Sequence, residues 1–269
     1  MNSAYALSEA ISMAERRHGA KIIRLSELPS KRDNAVSTGL KHLDEALDIG
    51  GFPKGSIVEI SGYEMSGKTA LVLQIVRQMQ QAGGNVLYVD ADHSLSSGSL
   101  KNSGAGTEGL YVLEPGNLED TLNAVKMAVP VFDAVIIDSL TALPTRDELN
   151  SDMDGIPNEA AKIMSSALRC LLHSLAKSGC ILIIITQIRE KIGVMFGNPE
   201  FEPGGRALKH YASIRLKLYR TETIKERRGI SAHTAPAIGQ KIRISVVKNK
   251  CGTPYKSAEV ELIYGKGMK

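Results

Sequence analysis

The chain has 269 residues, 43% of them hydrophobic, enough to bury a full core, and this composition argues against disorder. It has no Trp and only four Phe, so the interior is aliphatic, as a buried parallel sheet requires. A net charge of +4 is too mild to identify a nucleic-acid partner by itself, and three cysteines (Cys170, Cys180, Cys251) without metal-ligand spacing read as thiols in a reducing compartment.

In chain order, Leu7, Ile11 and Ala14 recur at helical spacing over residues 4–17, Gly19 stops the helix, and KIIRL at 21–25 is predicted as a strand. Glu9 and Glu15 interrupt any apolar run, so this is not read as a signal peptide; with no membrane span anywhere, a cytoplasmic location is expected. A helix and strand this small do not stand alone. Residues 1–33 are therefore expected to dock either on their own core or on a neighbouring subunit, with SKRDN at 30–34 as linker.

From residue 56 short apolar runs alternate with helical stretches: SIVEIS, TALVLQIVRQMQQ, NVLYVD, LEDTLNAVKMAV, AVIID. Further strands are predicted at 180–186, 213–219, 241–248 and 258–264. This alternation predicts an α/β fold over 34–269, with a mostly parallel, twisted central sheet flanked by helices. Two segments break the rhythm, about 150–158 and 188–205, and long loops in a compact domain are commonly functional.

The strongest signal is Gly62-Tyr63-Glu64-Met65-Ser66-Gly67-Lys68-Thr69, a GxxxxGK[ST] phosphate loop between a predicted strand and a predicted helix. Its glycines let backbone N–H groups wrap a phosphate, Lys68 reaches the outer phosphates and Thr69 ligates Mg2+. Asp138, ending AVIID, is the matching second metal residue; by itself it reads equally as a helix cap. Asp90 and Asp92 close the strand before, and Asp92 is the better candidate to orient the attacking water; the alternative is a pair of carboxylates in a turn. Arg189, Lys191 and Arg206 flank a Gly-rich segment with Gly193, Val194, Met195, Phe196, Gly204 and Gly205, in which basic groups suit phosphates and an apolar tip suits wedging between bases.

These stretches together resemble the bacterial RecA recombinase family. QIREKIGVMFGNPEFEPGGRALKHYASIRL (187–216) is similar to its second DNA loop, KNKCGTPYKSAEVELIYGKG (248–267) to its final core strands, and STGLKHLDEALDIGGFPKG and AVIIDSLTALPTRDEL extend the match almost end to end. The resemblance implies an ATP- and Mg2+-dependent, filament-forming ATPase on single-stranded DNA, with duplex DNA as a further partner. The alternative is an accessory protein that modulates another filament or a repair polymerase. It also implies that Asp92 stands where the family has a catalytic glutamate, that Gln187 senses the γ-phosphate, and that Lys248 and Lys250 reach a neighbour's ATP. Lys162 and Arg169 would lie on a basic helix face beyond the first DNA loop, and residues 1–33 would dock on the adjacent subunit.

Departures carry their own expectations. Asp92 is a methylene shorter than glutamate, which predicts slow hydrolysis. Ser96 and Ser99 stand where the family lines the adenine pocket with an aspartate and a tyrosine, so either ATP binds weakly, or Tyr264 from a neighbour's last strand carries more of the base, or the nucleotide preference is relaxed. Ile156-Pro157-Asn158 replaces a His-Met-Gly, residues 225–237 form a longer segment, and the sequence given stops where the family continues into a small C-terminal domain.

Overall fold

The computed structural model describes residues 3–19, 21–27, 30, 34–150, 159–190, 200, 201, 205–226 and 235–269. The chain divides into two compact units, Met1–Asn34 and Ala35–Lys269.

In the first unit α1 spans Ser3–His18, and Arg16, Arg17 and His18 fill its last turn, where cations suit the helix dipole. Gly19, at φ 60°, ends the helix by donating to the Glu15 carbonyl at 3.0 Å. The strand predicted at 21–25 is not formed: residues 21–24 have no ladder, and a 3-10 turn covers Leu25–Glu27. A strand exists only with a partner to take its backbone groups, and β-branched residues do not supply one. Tyr5, Leu7, Met13, Ile22, Ile23 and Leu25 remain exposed.

The second unit begins with β1 (Ala35–Val36), α2 (Lys41–Ala46) and β2 (Phe52–Pro53), the two strands forming an antiparallel pair. Next come β3 (Ile57–Gly62), α3 (Lys68–Gln81), β4 (Val86–Asp90), α4 (Ser97–Ser103), β5 (Leu110–Leu113), α5 (Leu118–Ala128) and β6 (Ala134–Asp138). After α6 (Arg146–Asn150) come α7 (Glu159–Ser178), β7 (Ile181–Gln187), β8 (Arg189–Glu190), β9 (Glu200–Phe201) and α8 (Gly205–Tyr211). The chain ends with β10 (Ile214–Lys225), β11 (Ala237–Asn249), β12 (Ser257–Ile263) and β13 (Gly267–Met268).

Among the described residues these build a nine-stranded sheet in the order β13-β12-β11-β10-β3-β7-β6-β4-β5. The strands from β10 to β5 run parallel, and β11, β12 and β13 extend the sheet as an antiparallel meander. The central strands are buried on both faces, which is why they read as unbroken Ile/Val/Leu runs. Their pleat sends alternate residues to two cores: Ile136 packs with Leu71, Ile75 and Met79 of α3, while Val135 and Ile137 pack with Leu122 of α5 and Leu168, Leu171 and Leu175 of α7.

Register fixes the functional edge. Gly62 pairs with Gln187 and Asp90 with Asp138, so the carboxyl ends of β3, β7, β4 and β6 share one side of the sheet, where open α/β sheets bind ligands. No helix among the described residues is long and apolar enough to cross a membrane.

The β1–β2 pair depends on Gly51, whose φ is 147° and whose added Cβ would overlap the Val36 carbonyl oxygen. Gly51→Ala should cost about 3 kcal/mol and lower the midpoint of thermal unfolding by roughly 10 °C, read by circular dichroism; an unchanged midpoint would rule out this close approach.

Candidate nucleotide site

The segment between β3 and α3 wraps back on itself. Met65 (φ 57°) and Gly67 (φ 91°) take left-handed conformations, and the Ser66 N–H donates to the Tyr63 carbonyl at 3.2 Å. Gly67 holds a φ that side-chain-bearing residues rarely adopt, and an added Cβ would also crowd the Ile242 side chain, so glycine suits the turn here. Gly67 caps α3 with no side-chain hydrogen bond, which leaves the first amides of the helix directed at whatever lies before them, a favourable setting for an anion. Lys68 Nζ donates to the carbonyls of Gly62 (3.2 Å) and Tyr63 (2.8 Å). Burial pulls its pKa down, while the carboxylates of Asp138, Asp92 and Glu64 act the other way.

Asp138 ends β6 almost wholly buried, accepting hydrogen bonds from Thr69 Oγ1 (2.9 Å) and Tyr88 Oη (2.6 Å). Burial raises its pKa above the ordinary carboxylate range, against the two hydrogen bonds. The adjoining Asp138–Ser139 peptide is cis. The Thr69 hydroxyl and the Asp138 carboxylate put two hard oxygens side by side at the mouth of the glycine-cradled loop, a donor set that fits Mg2+ completed by phosphate oxygens. Ser66 Oγ, buried and without a partner among the described residues, adds a polar group the loop itself does not use.

The two strand-end aspartates separate in role. Asp90 is buried and accepts the Ser94 and Leu95 N–H groups (3.0 and 3.1 Å), which holds the turn after β4. Asp92 is exposed and accepts from Ser139 Oγ at 3.4 Å, beside Asp138.

On the other side of the loop a cavity of about 240 Å3 is lined by residues 65–70 together with Gln240, Leu262 and Tyr264. Tyr264 therefore stands beside the phosphate loop of its own chain, where the sequence reading places a neighbour's; β11 and β12 flank β10 in the same sheet and carry it there. Gln240 donates to the Met65 carbonyl at 3.0 Å, and its Oε1 is buried without a partner among the described residues. Ser96 and Ser99 form a reciprocal capping box that starts α4, so their hydroxyls are occupied by backbone.

Gln187 ends β7 opposite Gly62, and the next amide, Ile188 N–H, donates to the Gly62 carbonyl at 3.1 Å. The chain passes directly into β8, which pairs with β9. The Tyr63 hydroxyl lies 3.0 Å from both Glu190 and Glu200; burial and these carboxylates push its pKa up, so it stays a protonated donor. Arg189, Lys162, Arg169 and Arg206 are exposed, the two α7 cations seven residues apart on one helix face. Gly205, expected at the end of a loop, and Arg206, expected beside it, open α8; Gly205 has φ 74° and lies against Ala161 of α7. Lys191, Gly193, Val194, Met195, Phe196 and Gly204, and the first loop at 151–158, lie outside the described residues. Lys248 Nζ donates to the Lys209 and His210 carbonyls (2.7 and 2.8 Å) and Lys250 Nζ to that of Tyr211 (3.4 Å), so both cap the end of α8. Burial, Lys250 and Arg215 hold the Lys248 pKa down.

Sequence reasoning missed Tyr88, Gln240 and the Glu190/Glu200 pair. Tyr88 sits in an apolar strand and reads as core; only its register with β6, which no local pattern encodes, brings it to Asp138.

A glycine-rich loop between strand and helix, with a buried aspartate two strands away at the same sheet edge, defines a P-loop NTPase core of the RecA-like type. The RecA N-terminal domain family model matches residues 5–269. Proteins named Protein RecA are 42% identical over 98% of this chain in Streptomyces avermitilis (69% of that protein). In Thioalkalivibrio sulfidiphilus the identity is 43% over 99% (77% of that protein) and in Clostridium perfringens 40% over 98% (74%). The chain belongs to the RecA family. In fold it resembles the crystal structure of the RadB recombinase, with TM-score 0.62 and 21% identity over 87% of this chain and 98% of that one.

Because the folded pKa of Asp138 lies above its unfolded value, its contribution to stability is fully present below the unfolded pKa and is lost as pH rises through the folded one. Asp138→Asn should accordingly melt higher than the wild type at pH 7, with the gap narrowing as pH falls through the carboxylate range. A gap that widens in acid would reverse the sign and refute the burial argument. Tyr88→Phe removes a hydrogen bond to this carboxylate and should cost about 1–3 kcal/mol in denaturant unfolding at pH 7.

Proposed function

We propose that this chain is an ATP-dependent recombinase that binds Mg2+–ATP at the phosphate loop and assembles as a filament on single-stranded DNA. The observation that carries the reading is the shared sheet edge: Gly62 of the phosphate loop and Gln187 pair directly, and Gln187 leads within two residues to Arg189. A change at the phosphates thus has a short path to a basic segment, across one backbone hydrogen bond and then along the chain.

In this reading the loop amides and Lys68 bind the phosphates, and Thr69 and Asp138 hold Mg2+, which supplies charge neutralisation on the phosphoryl oxygens when bound. Asp92 orients the attacking water, supported by its exposure beside Asp138 and Ser139. Tyr264 flanks the base. Lys162, Arg169, Arg189 and Arg206 bind DNA phosphates together with Lys191 and the segment around Val194–Phe196. Lys248 and Lys250 leave the end of α8 to serve a neighbour's nucleotide. Residues 1–33 dock on that neighbour, a role supported by their exposed apolar side chains and by a KIIRL segment without a ladder. A second reading, an accessory role on another protein's filament, draws on Ser96 and Ser99, whose hydroxyls cap a helix and leave less for an adenine.

Fluorescence anisotropy of a labelled single-stranded oligonucleotide separates the two. Cooperative binding, tightest with ATP and weaker with ADP or no nucleotide, and falling steeply with salt, is expected for the filament; binding that ignores nucleotide favours the accessory role. Asp92→Glu should raise the DNA-stimulated ATPase rate about tenfold, because the longer side chain moves the carboxylate by the order of 1 Å. A rate no faster than wild type would remove Asp92 from the chemistry.

A further inference from the structure

Glu190 and Glu200 are directly opposite one another in the β8–β9 pair. Like charges in that arrangement oppose pairing. Two groups offset them. Lys217 of β10 is ion-paired with Glu200 while lying 5.1 Å from the Tyr219 ring centre, and the Tyr63 hydroxyl stands 3.0 Å from an oxygen of each glutamate. A phenol has one hydrogen and ionised carboxylates only accept. The hydroxyl therefore serves one carboxylate at a time, so the like-charge contact across the ribbon depends on where that one hydrogen sits.

Tyr63 also belongs to the phosphate loop. Its carbonyl accepts from Lys68 Nζ at 2.8 Å, and the preceding Gly62 carbonyl accepts from both Lys68 Nζ and the Ile188 N–H. One residue thus meets the phosphate-binding lysine through its backbone and the β8–β9 ribbon through its side chain. We propose that Tyr63 is a positioning residue that couples the phosphate loop to this ribbon: a phosphate that draws Lys68 Nζ off the Tyr63 carbonyl lets the peptide shift, the hydroxyl withdraws, and the glutamates part. The role rests on the nucleotide reading above and adds to it a side-chain route beside the backbone route through Gln187.

Hydrogen exchange followed by mass spectrometry tests it on the whole chain, in peptides covering 189–190 and 200–201, with the first turns of α3 reporting nucleotide occupancy in the same sample. In the wild type, ATP should protect α3 and speed exchange in the ribbon. Tyr63→Phe should speed ribbon exchange roughly ten- to hundredfold without nucleotide and abolish its response to ATP at saturating occupancy of α3. Adding Glu190→Gln, which removes the like charge, should bring the ribbon's protection back but not its response; such recovery distinguishes lost coupling from misfolding. Wild-type exchange and a wild-type ATP response in Tyr63→Phe would overturn the proposal. If ATP protected nothing at α3 in the wild type, the nucleotide reading would fall instead, and the nucleotide-free comparison of the variants would still decide whether Tyr63 holds the ribbon.

Discussion

The hydrogen bond from Thr69 to Asp138 is the contact on which the rest of the site depends. It spans the sheet: Thr69 belongs to the helix after β3, Asp138 to the end of β6, and β7 lies between those strands. For a single short hydrogen bond to bridge that gap, β3, β7 and β6 must end at matched height. The buried Ile and Val runs that set their register are therefore as much a part of the site as the glycines. Asp138 itself is held where a carboxylate does not wish to be. Tyr88 and Thr69 answer part of its lost hydration, and the remaining unmet demand is what makes the position receptive to a cation.

Lys68 sits within the reach of three carboxylates, Asp138, Asp92 and Glu64, and against two carbonyls of its own loop. The lysine is thereby kept close to its working position by groups that an incoming phosphate outcompetes, because a full anionic charge attracts an ammonium more strongly than a peptide dipole does. The same loop cannot be rebuilt with larger residues: a side chain at Gly62 would meet the Leu218 carbonyl as well as Ser66, and one at Gly67 would meet Ile242.

Much of this is legible in the sequence, for reasons that differ by element. The phosphate loop and Asp138 can be read because their spacing is local and their flanking runs are periodic. The central strands β3, β4, β6 and β7 are found because burial on both faces writes itself as continuous apolar residues, and β10 to β12 because one buried face writes itself as alternation. β5 escapes, a four-residue edge strand with Tyr111 and Val112 exposed, which has neither length nor alternation to announce it. KIIRL has the composition of a strand and forms none, since composition does not provide a partner. Gly205 reads as the end of a loop and begins a helix, because a glycine at positive φ marks a change of direction without specifying the element beyond it. Tyr264 reads as part of a neighbour's site; the antiparallel meander that returns it to its own loop is long-range topology that no window of sequence contains.

The seating of Lys248 and Lys250 on the last carbonyls of α8 links two ends of one short helix. α8 is seven residues long, and its opening turn lies against Ala161 of α7 and carries Arg206. A helix that short owes much of its persistence to its caps. Any surface that recruits the two lysines must take them from the helix, so occupying them elsewhere loosens the turn that presents Arg206. The freedom of these lysines and the order of the basic helix are then opposite sides of one equilibrium, and whatever holds α8 firmly also holds the lysines at home.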